Sequence, residues 1–274
     1  MITLGAVVPL SSRALAALRR AFCGFAALGV VTLGSGRGAR ADTDAAPRWC
    51  APELDVVDHD ACFFGSETAV DAPPRRTLVV FLHSLVKAGT EWQWEQQRAL
   101  VRAARKNGFY VLMPRGRLGI GPGRAPDVWA WPTARQTQED VEDELIAEWR
   151  RARAALEEKH GPFDAWLVFG FSNGAYYGAS LALRGRLDAD GYAIFAGGSA
   201  GRGSERRLKS VSPRPPIFVG YGEKDAARRD PMGLARALRA AGWPYALHAS
   251  RAGHTVTDEQ LRRAFAFLTT KSAP

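Results

Sequence analysis

The sequence predicts an α/β protein with a mostly parallel central sheet that is covered by helices on both faces. Short apolar runs such as Thr77–His83 alternate along the chain with longer amphipathic segments such as residues 137–159. This alternation is typical of parallel strands joined by crossover helices. The 274 residues, 46% of them hydrophobic, are sufficient for one domain with a large core.

In chain order, the apolar runs predict strands and the amphipathic segments predict helices. A helix is predicted at about 90–107, with Trp92, Leu100, Val101 and Ala104 as its apolar members. A Gly/Pro/Trp-rich loop is predicted over 116–135, because glycine and proline are frequent there and the apolar residues follow neither a helical nor a strand period. The predicted strands are 77–83, 109–113, 165–169, 192–195, 216–221 and 245–249, and the other predicted helices are 137–159, one after 172, 231–241 and 256–270.

Residues 1–41 are predicted to be an export signal, and the protein to be periplasmic or secreted by a bacterium. The basic residues Arg13, Arg19 and Arg20 precede an apolar stretch over 21–33, and Ala39-Arg40-Ala41 fits a small-x-small cleavage site. The stretch is too short to span a bilayer comfortably, so no membrane span is expected in the mature chain. The sequence is compatible with export by either the Sec or the twin-arginine pathway, and an uncleaved membrane anchor is a further alternative for this segment.

The net charge of +9 does not indicate a nucleic-acid partner. Five arginines and no acidic residue fall within residues 1–41, so the signal segment accounts for more than half of that charge. The remaining charges are mixed along the chain, which favours solvated helix faces over a nucleic-acid-binding stripe.

Cys50 and Cys62 are the two cysteines of the predicted mature chain, and in an oxidising compartment we expect them to form a disulfide. Such a bond contributes on the order of 3 kcal/mol. A metal site built from these cysteines and His59 is the alternative. The three residues are not spaced as ligands of a zinc site are, and a fourth ligand is missing, so no metal is predicted. We therefore divide the mature chain into a disulfide-containing segment and linker, 42–74, and a main domain, 75–274.

Gly170-Phe171-Ser172-Asn173-Gly174 fits the pattern G-x-S-x-G between an apolar strand and an amphipathic helix. That context is typical of a nucleophile elbow, in which Ser172 is exposed at a helix N-terminus where developing negative charge is favoured. The glycines allow close approach of the strand and the helix. The alternative is an ordinary turn whose serine caps the helix.

A serine hydroxyl needs a base, and the base needs an acid to orient it. Asp225 and His254 each follow the end of a later strand, in the chain order serine, acid, histidine that this architecture uses. Asp230 and Glu223 are alternative acids, although Asp230 precedes Pro231 and resembles a helix N-cap. His248 falls inside a strand and is better interpreted as packed or edge-facing.

Acyl transfer also needs two donors for the oxyanion. We predict the backbone N–H of Asn173 and that of Leu85, with Ser84 as the less favoured second choice. For Trp129 and Trp131, in the long loop, two interpretations stay open: walls of a substrate pocket, or core residues beneath the loop.

Together these motifs resemble the α/β-hydrolase superfamily over nearly the whole chain from about residue 75. They are most similar to the phospholipase/carboxylesterase group and to the secreted feruloyl esterases and polyhydroxybutyrate depolymerases. Those groups usually have His-Gly in the first loop, where this chain has His83-Ser84. By position, the resemblance carries the triad over to Ser172, Asp225 and His254.

The resemblance implies an exported serine hydrolase that cleaves a small-molecule ester or a polyester through an acyl-enzyme, without a cofactor. Two alternatives stay open. One is a non-catalytic binding protein on a hydrolase scaffold, suggested by Ser84, and the other is a serine peptidase, because the same triad cleaves amides.

Overall fold

The computed structural model describes residues 48–65, 75–201 and 205–271. The predicted export signal, 1–41, and much of the predicted linker lie outside the described residues, as does the side chain of His59. Within the described ranges, no helix has both the length and the apolar character needed to cross a membrane.

Eleven strands and six helices make up the described chain. The strands are β1 (Asp55–Val57), β2 (Ala61–Phe64), β3 (Thr77–Leu82), β4 (Val86–Lys87), β5 (Tyr110–Met113), β6 (Arg117–Leu118), β7 (Val128–Ala130), β8 (Ala165–Phe171), β9 (Gly191–Phe195), β10 (Ile217–Gly222) and β11 (Tyr245–Ser250). The helices are α1 (Trp92–Asn107), α2 (Arg135–His160), α3 (Asn173–Arg184), α4 (Glu205–Ser210), α5 (Arg229–Ala240) and α6 (Asp258–Lys271).

Eight strands form the main sheet, in the order β1-β2-β5-β3-β8-β9-β10-β11. Six of these strands are parallel to one another: β5, β3, β8, β9, β10 and β11. Strands β1 and β2 add an antiparallel pair at one edge. The registers align Leu82 with Gly170 and Phe171 with Phe195. The carboxyl ends of the parallel strands therefore meet at one edge of the sheet, where open α/β sheets place their ligand sites.

An apolar layer covers each face of the sheet, and successive side chains of β3 point alternately into one layer and the other. Leu78, Val80 and Leu82 face α2, α3 and α5. Val79 and Phe81 face α1 and α6 on the opposite side. The prediction of a mostly parallel sheet with helices on both faces is confirmed, because strands buried on both faces are near-continuous apolar runs.

The structure also contains short elements that the sequence did not predict. The loop predicted over 116–135 contains β6 and β7, and β7 pairs with β4 directly after the β3 strand end. Strands β1 and β2 and helix α4 were missed as well. These strands have only two to four residues, too few to establish a period.

Cys50 and Cys62 are joined by a disulfide in the N-terminal segment. Strand β2 contains Cys62 and pairs with β5, so this segment extends the main sheet. The division at residue 74 stays a prediction, but it does not separate two sheets.

Candidate active site

The turn between β8 and α3 holds Ser172 in a strained backbone conformation, with φ of 53° and ψ of −114°. A positive φ is uncommon for a residue with a side chain and persists where the surroundings impose it. A Cβ on Gly170 would overlap the backbone of Gly174, and a Cβ on Gly174 would overlap the carbonyl of Leu82. Both flanking glycines are thus required by the close approach of α3 to β8 and β3.

Ser172, His254 and Asp225 form a connected hydrogen-bond chain. His254 Nε2 lies 2.9 Å from Ser172 Oγ, and His254 Nδ1 lies 2.8 Å from Asp225 Oδ2. Asp225 is buried, and its other oxygen accepts a hydrogen bond from the backbone N–H of Ala227 at 2.8 Å. The Ser172 side chain does not cap α3, so the capping interpretation is wrong. This arrangement has the geometry for removing a proton from the serine hydroxyl.

The loops that carry Asp225 and His254 pack directly against each other. Glu223 N–H donates to Ser250 O at 2.8 Å, and Lys224 N–H donates to Ala252 O at 3.0 Å. A Cβ on Gly222 would overlap the carbonyls of Ala252 and Gly253. Backbone contact therefore sets the distance between the acid and the histidine.

The alternative acids and the second histidine lie elsewhere. Asp230 is inside α5, whose N-cap is Arg228, so the N-cap prediction is wrong. Its carboxylate accepts a hydrogen bond from the hydroxyl of Tyr176. Glu223 is exposed. His248 lies within β11 against the ring of Phe218, as predicted for a packed histidine.

The predicted oxyanion donors lie on two segments that contact each other. Gly174 N–H donates to His83 O at 3.1 Å, which joins the start of α3 to the end of β3. Among the described residues, the backbone N–H groups of Leu85 and Asn173 make no hydrogen bond to protein. The N–H of Ser84 is already bonded to Gln96 Oε1 at 3.0 Å. Leu85 is therefore the available donor in this loop, and Ser84 is not.

Trp131 is fully buried and packs against Trp149 and Tyr177. Its indole N–H donates to His83 O at 2.9 Å, and its backbone N–H donates to Asn173 Oδ1 at 2.7 Å. A fully buried ring cannot line an open pocket, so the substrate-binding prediction for Trp131 is wrong. Trp131 instead connects the two segments that carry the predicted oxyanion donors.

Trp129 is half-buried and lies apart from this connection. Arg115 stacks on its ring at 4.2 Å, and the edge of Trp49 contacts it at 6.0 Å between ring centroids. The cavity beside His254 does not include Trp129.

A cavity of about 270 Å³ opens beside His254, between the first turns of α1 and the start of α6. The larger apolar side chains of its lining are Phe81, Trp92, Leu100, Phe171, Val256 and Leu261. Trp92, one of the apolar members of α1, is 50% exposed, whereas Leu100, Val101 and Ala104 are buried. The sequence offered one signal: Trp92 and the buried Gln96 share a helix face with Leu100, and a core face seldom carries a glutamine.

His83, at the start of the loop that contains Leu85, is a neutral imidazole. Gly116 N–H donates to its Nε2 at 3.0 Å, so Nδ1 carries the proton and donates to Ser84 O. Burial lowers the pKa of His83 to about 4, because the charged form would lose its hydration. The ring therefore stays neutral at physiological pH, and its hydrogen bonds join the loop after β3 to Gly116.

In the described parts of the chain, no group of three or more His, Cys, Asp or Glu side chains could hold a metal ion. The alternative metal site is wrong, because the sulfurs of Cys50 and Cys62 are joined to each other in the disulfide; the side chain of His59 lies outside the described residues.

Solved structures resemble this chain over about three quarters of its length, whereas no family model and no curated protein sequence matches it. A carboxylesterase from Bacillus cereus has 17% identity and a TM-score of 0.52, and the match covers 77% of this chain and 94% of that chain. Esterase PE8 has 22% identity and a TM-score of 0.53, with 76% and 96% covered. SOBER1 from Arabidopsis thaliana has 14% identity and a TM-score of 0.51, with 72% and 100% covered.

The chain has the α/β-hydrolase fold. Within this α/β-hydrolase fold, Ser172 occupies the turn after a central strand, and the loops carrying Asp225 and His254 follow later strands at the same edge. Identities this low establish the fold, and the chemistry has to be argued from the side chains.

Proposed function

We propose that this protein is a serine hydrolase that cleaves carboxylic esters through an acyl-enzyme. The single observation that carries the proposal is the chain of hydrogen bonds from Ser172 through His254 to Asp225. The strained backbone at Ser172 supports it, because strain of this kind is retained where it serves a function. The esterase and carboxylesterase names of the structural neighbours agree with it.

Each group has one task in this proposal. Ser172 Oγ attacks the ester carbonyl carbon while His254 Nε2 takes the hydroxyl proton. Asp225 orients the imidazole and stabilises its charged form. When the C–O bond to the alcohol breaks, His254 returns the proton to the leaving oxygen. Water, activated by His254, then cleaves the acyl-serine.

The N–H groups of Leu85 and Asn173 are proposed to stabilise the oxyanion. Donors that are already oriented before the reaction cost no reorganisation when the charge develops. Asn173 lies at the N-terminus of α3, where the helix dipole adds to this stabilisation.

We propose that the substrate is a small ester whose apolar group occupies the cavity beside His254. The lining of Phe81, Trp92, Phe171 and Val256 favours an aliphatic or aromatic group over a charged one. Glu95 and Arg102 also line the cavity and are exposed, so a polar end of the substrate can reach water.

Export of the protein, with removal of residues 1–41, is also part of the proposal. The Cys50–Cys62 disulfide supports it, because such bonds persist in oxidising compartments. Mass spectrometry of the protein purified from a bacterial periplasm or medium tests it. A mature N-terminus at Asp42 is expected, and an intact residue 1 would contradict it.

The first experiment compares wild-type protein with Ser172→Ala on p-nitrophenyl acetate and butyrate. Loss of the nucleophile is expected to lower kcat at least about 10⁴-fold. A fluorophosphonate should modify Ser172 in the wild type and leave the variant unlabelled. Equal background rates in both proteins, with no labelling, would favour a binding protein on a hydrolase scaffold.

Trp92→Ala tests the substrate class. Enlarging the cavity should raise KM for aromatic and medium-chain esters about tenfold, because apolar contact is lost. The KM for methyl acetate should stay within about twofold of wild type, since neither of its two small groups is large enough to reach the indole. A parallel rise in KM for all esters would contradict a role of this cavity in substrate selection.

A further inference from the structure

Three buried glutamines on the first turns of α1 contact two different parts of the molecule. Gln93, Gln96 and Gln97 all have less than 10% of their surface exposed. Gln97 Oε1 accepts from the N–H of Ala51 at 2.8 Å, and its Nε2 donates to Trp49 O at 3.1 Å. Gln93 also donates to Trp49 O, at 3.3 Å. Gln93 and Gln97, four residues apart, therefore tie α1 to the N-terminal segment.

Gln96 points to a different segment, the loop that carries the proposed oxyanion donor. Its Oε1 accepts from the N–H of Ser84 at 3.0 Å, and its Nε2 donates to Ser84 Oγ at 3.0 Å. One buried amide thus bonds both the backbone and the side chain of the residue before Leu85. Breaking these bonds inside the protein leaves polar groups without partners, which is costly.

The Ser84 hydroxyl has no hydrogen-bonding capacity left over. It accepts from Gln96 Nε2 and from Trp92 Nε1 at 3.4 Å, and it donates to Leu85 O at 3.2 Å. A hydroxyl has one proton and two lone pairs, so all three are used. A glycine at this position would make none of these side-chain contacts. Ser84 is therefore integrated into the loop and does not obstruct it.

We propose that Gln96 is a positioning residue, which acts through Ser84 to hold the Leu85 N–H in the orientation that receives the oxyanion. This inference rests on the proposed esterase function. Gln96 occupies the Ser84 N–H, so the Leu85 N–H is left as the free donor of the loop. The loop is fixed on its other side by His83, whose carbonyl accepts from Trp131 and Gly174.

The same hydroxyl connects the loop to the substrate cavity. Trp92 forms part of the cavity wall and bonds Ser84 Oγ, and Gln96 also lines the cavity. A substrate group that packs on Trp92 therefore contacts the residues that orient the loop. Donors oriented in advance give the largest rate gain, so loosening this cluster should lower kcat more than it raises KM.

The test uses the full-length protein and three variants that remove hydrogen bonds while keeping side-chain volume. Gln96→Met removes both bonds to Ser84, and Ser84→Ala removes the hydroxyl only. Gln97→Met is the matched control, since it removes a buried glutamine one residue away that does not contact the loop. Measurements are kcat and KM on p-nitrophenyl butyrate, the second-order rate of fluorophosphonate labelling, and hydrogen exchange over residues 82–87.

We expect Gln96→Met to lower kcat about 10- to 100-fold with KM within about threefold of wild type. Labelling should slow by a similar factor, and the amides of 82–87 should exchange faster. Ser84→Ala should have a smaller effect, and the double variant should lose less than the product of the two, since they share one bond. Gln97→Met should lower thermal stability while its kcat stays within about threefold of wild type.

Three results would overturn the inference, and they separate it from the proposed function. If wild type labels at Ser172 and Gln96→Met labels at the same rate, the positioning role is wrong and the esterase proposal stands. If exchange over 82–87 is unchanged in Gln96→Met, Gln96 does not order the loop. If wild type shows no Ser172-dependent labelling, the proposed function fails and the positioning role fails with it.

Discussion

The two halves of the candidate site are held in place by different means. Around Ser172, close backbone contacts fix the geometry, because Gly170 and Gly174 allow α3 to contact β8 and the end of β3 without overlap. Around Leu85, side chains on other segments fix the loop, because Gln96 and Trp131 form hydrogen bonds with its backbone. The first half depends on space for backbone atoms, and the second depends on individual hydrogen bonds.

This difference decides how each half responds to change. A Cβ placed where backbone atoms already lie must displace a strand or a helix, so the fold itself is affected. The loss of one buried hydrogen bond costs about 1–3 kcal/mol and can leave the fold intact. We therefore expect substitutions on the Ser172 side to be severe and those on the Leu85 side to be graded.

The largest effect is expected for Gly174→Ala. The new Cβ would overlap the carbonyls of Leu82 and His83, so either α3 moves or the turn is lost. We expect a loss of at least about 4 kcal/mol in the free energy of unfolding, or no soluble protein. Urea denaturation and expression yield measure it.

Gly178→Ala is the matched control on the same helix. Its Cβ would meet only side-chain atoms, the nearest being Ile194 Cδ1 at 3.3 Å, and alanine favours a helix interior. A change within about 1 kcal/mol is expected. Equal destabilisation by both variants would show that crowding around α3 in general, rather than backbone contact at the turn, explains the effect.

The backbone-held half of the site was predictable because its signals are local. G-x-S-x-G between a strand and a helix is read from five consecutive residues, and Asp225 and His254 each follow a recognisable strand. The structure brings these three side chains together. The central strands were predicted for the same reason, since a strand buried on both faces is a continuous apolar run.

The side-chain-held half was not predictable because its partners are far apart in sequence. Trp131 lies 48 residues from His83, and neither residue carries a pattern that relates it to the other. The tryptophans show the same limit, because the sequence left two interpretations open for Trp131 and named Trp92 only as an apolar member of its helix. Trp131 is buried, whereas Trp92 forms the cavity wall, because burial is set by tertiary packing.

The next largest effect concerns the stability of the loop half as the pH falls. The pKa of His83 is lowered to about 4 by burial, from an ordinary value near 6.5. Between these values the unfolded chain binds a proton that the folded protein does not, so stability falls as pH decreases from about 6.5 to about 4. The loss is on the order of 3 kcal/mol and should appear in urea midpoints measured across that range.

His83→Gln isolates this contribution. The variant should be less stable at pH 7, because the contacts with Gly116 are altered, and its stability should vary less between pH 6.5 and 4.5. Burial also lowers the pKa of His248, so His248→Gln is the comparison for a partly exposed histidine. If His248→Gln flattens the pH dependence more than His83→Gln does, the buried imidazole is not its main source.

The smallest effect is expected for Trp131→Phe, which keeps a ring in the core and removes the indole N–H. His83 O would then accept only from Gly174 N–H, and a small cavity would remain beside Trp149. We expect a loss of about 2 kcal/mol in the free energy of unfolding. A severalfold decrease in kcat at unchanged KM should accompany it, because His83 directly precedes the loop with the proposed oxyanion donor, Leu85.

Trp129→Phe is the matched control, because Trp129 is half-buried and, although its backbone pairs with Val86, its side chain makes no hydrogen bond to either segment of the site. It should change stability by less than about 1 kcal/mol and leave kcat within about twofold of wild type. If the two variants behave alike, the loop is held by its apolar packing and not by the indole hydrogen bond. In that case the two halves of the site would differ less than their contacts indicate, because crowding rather than directed bonds would fix both.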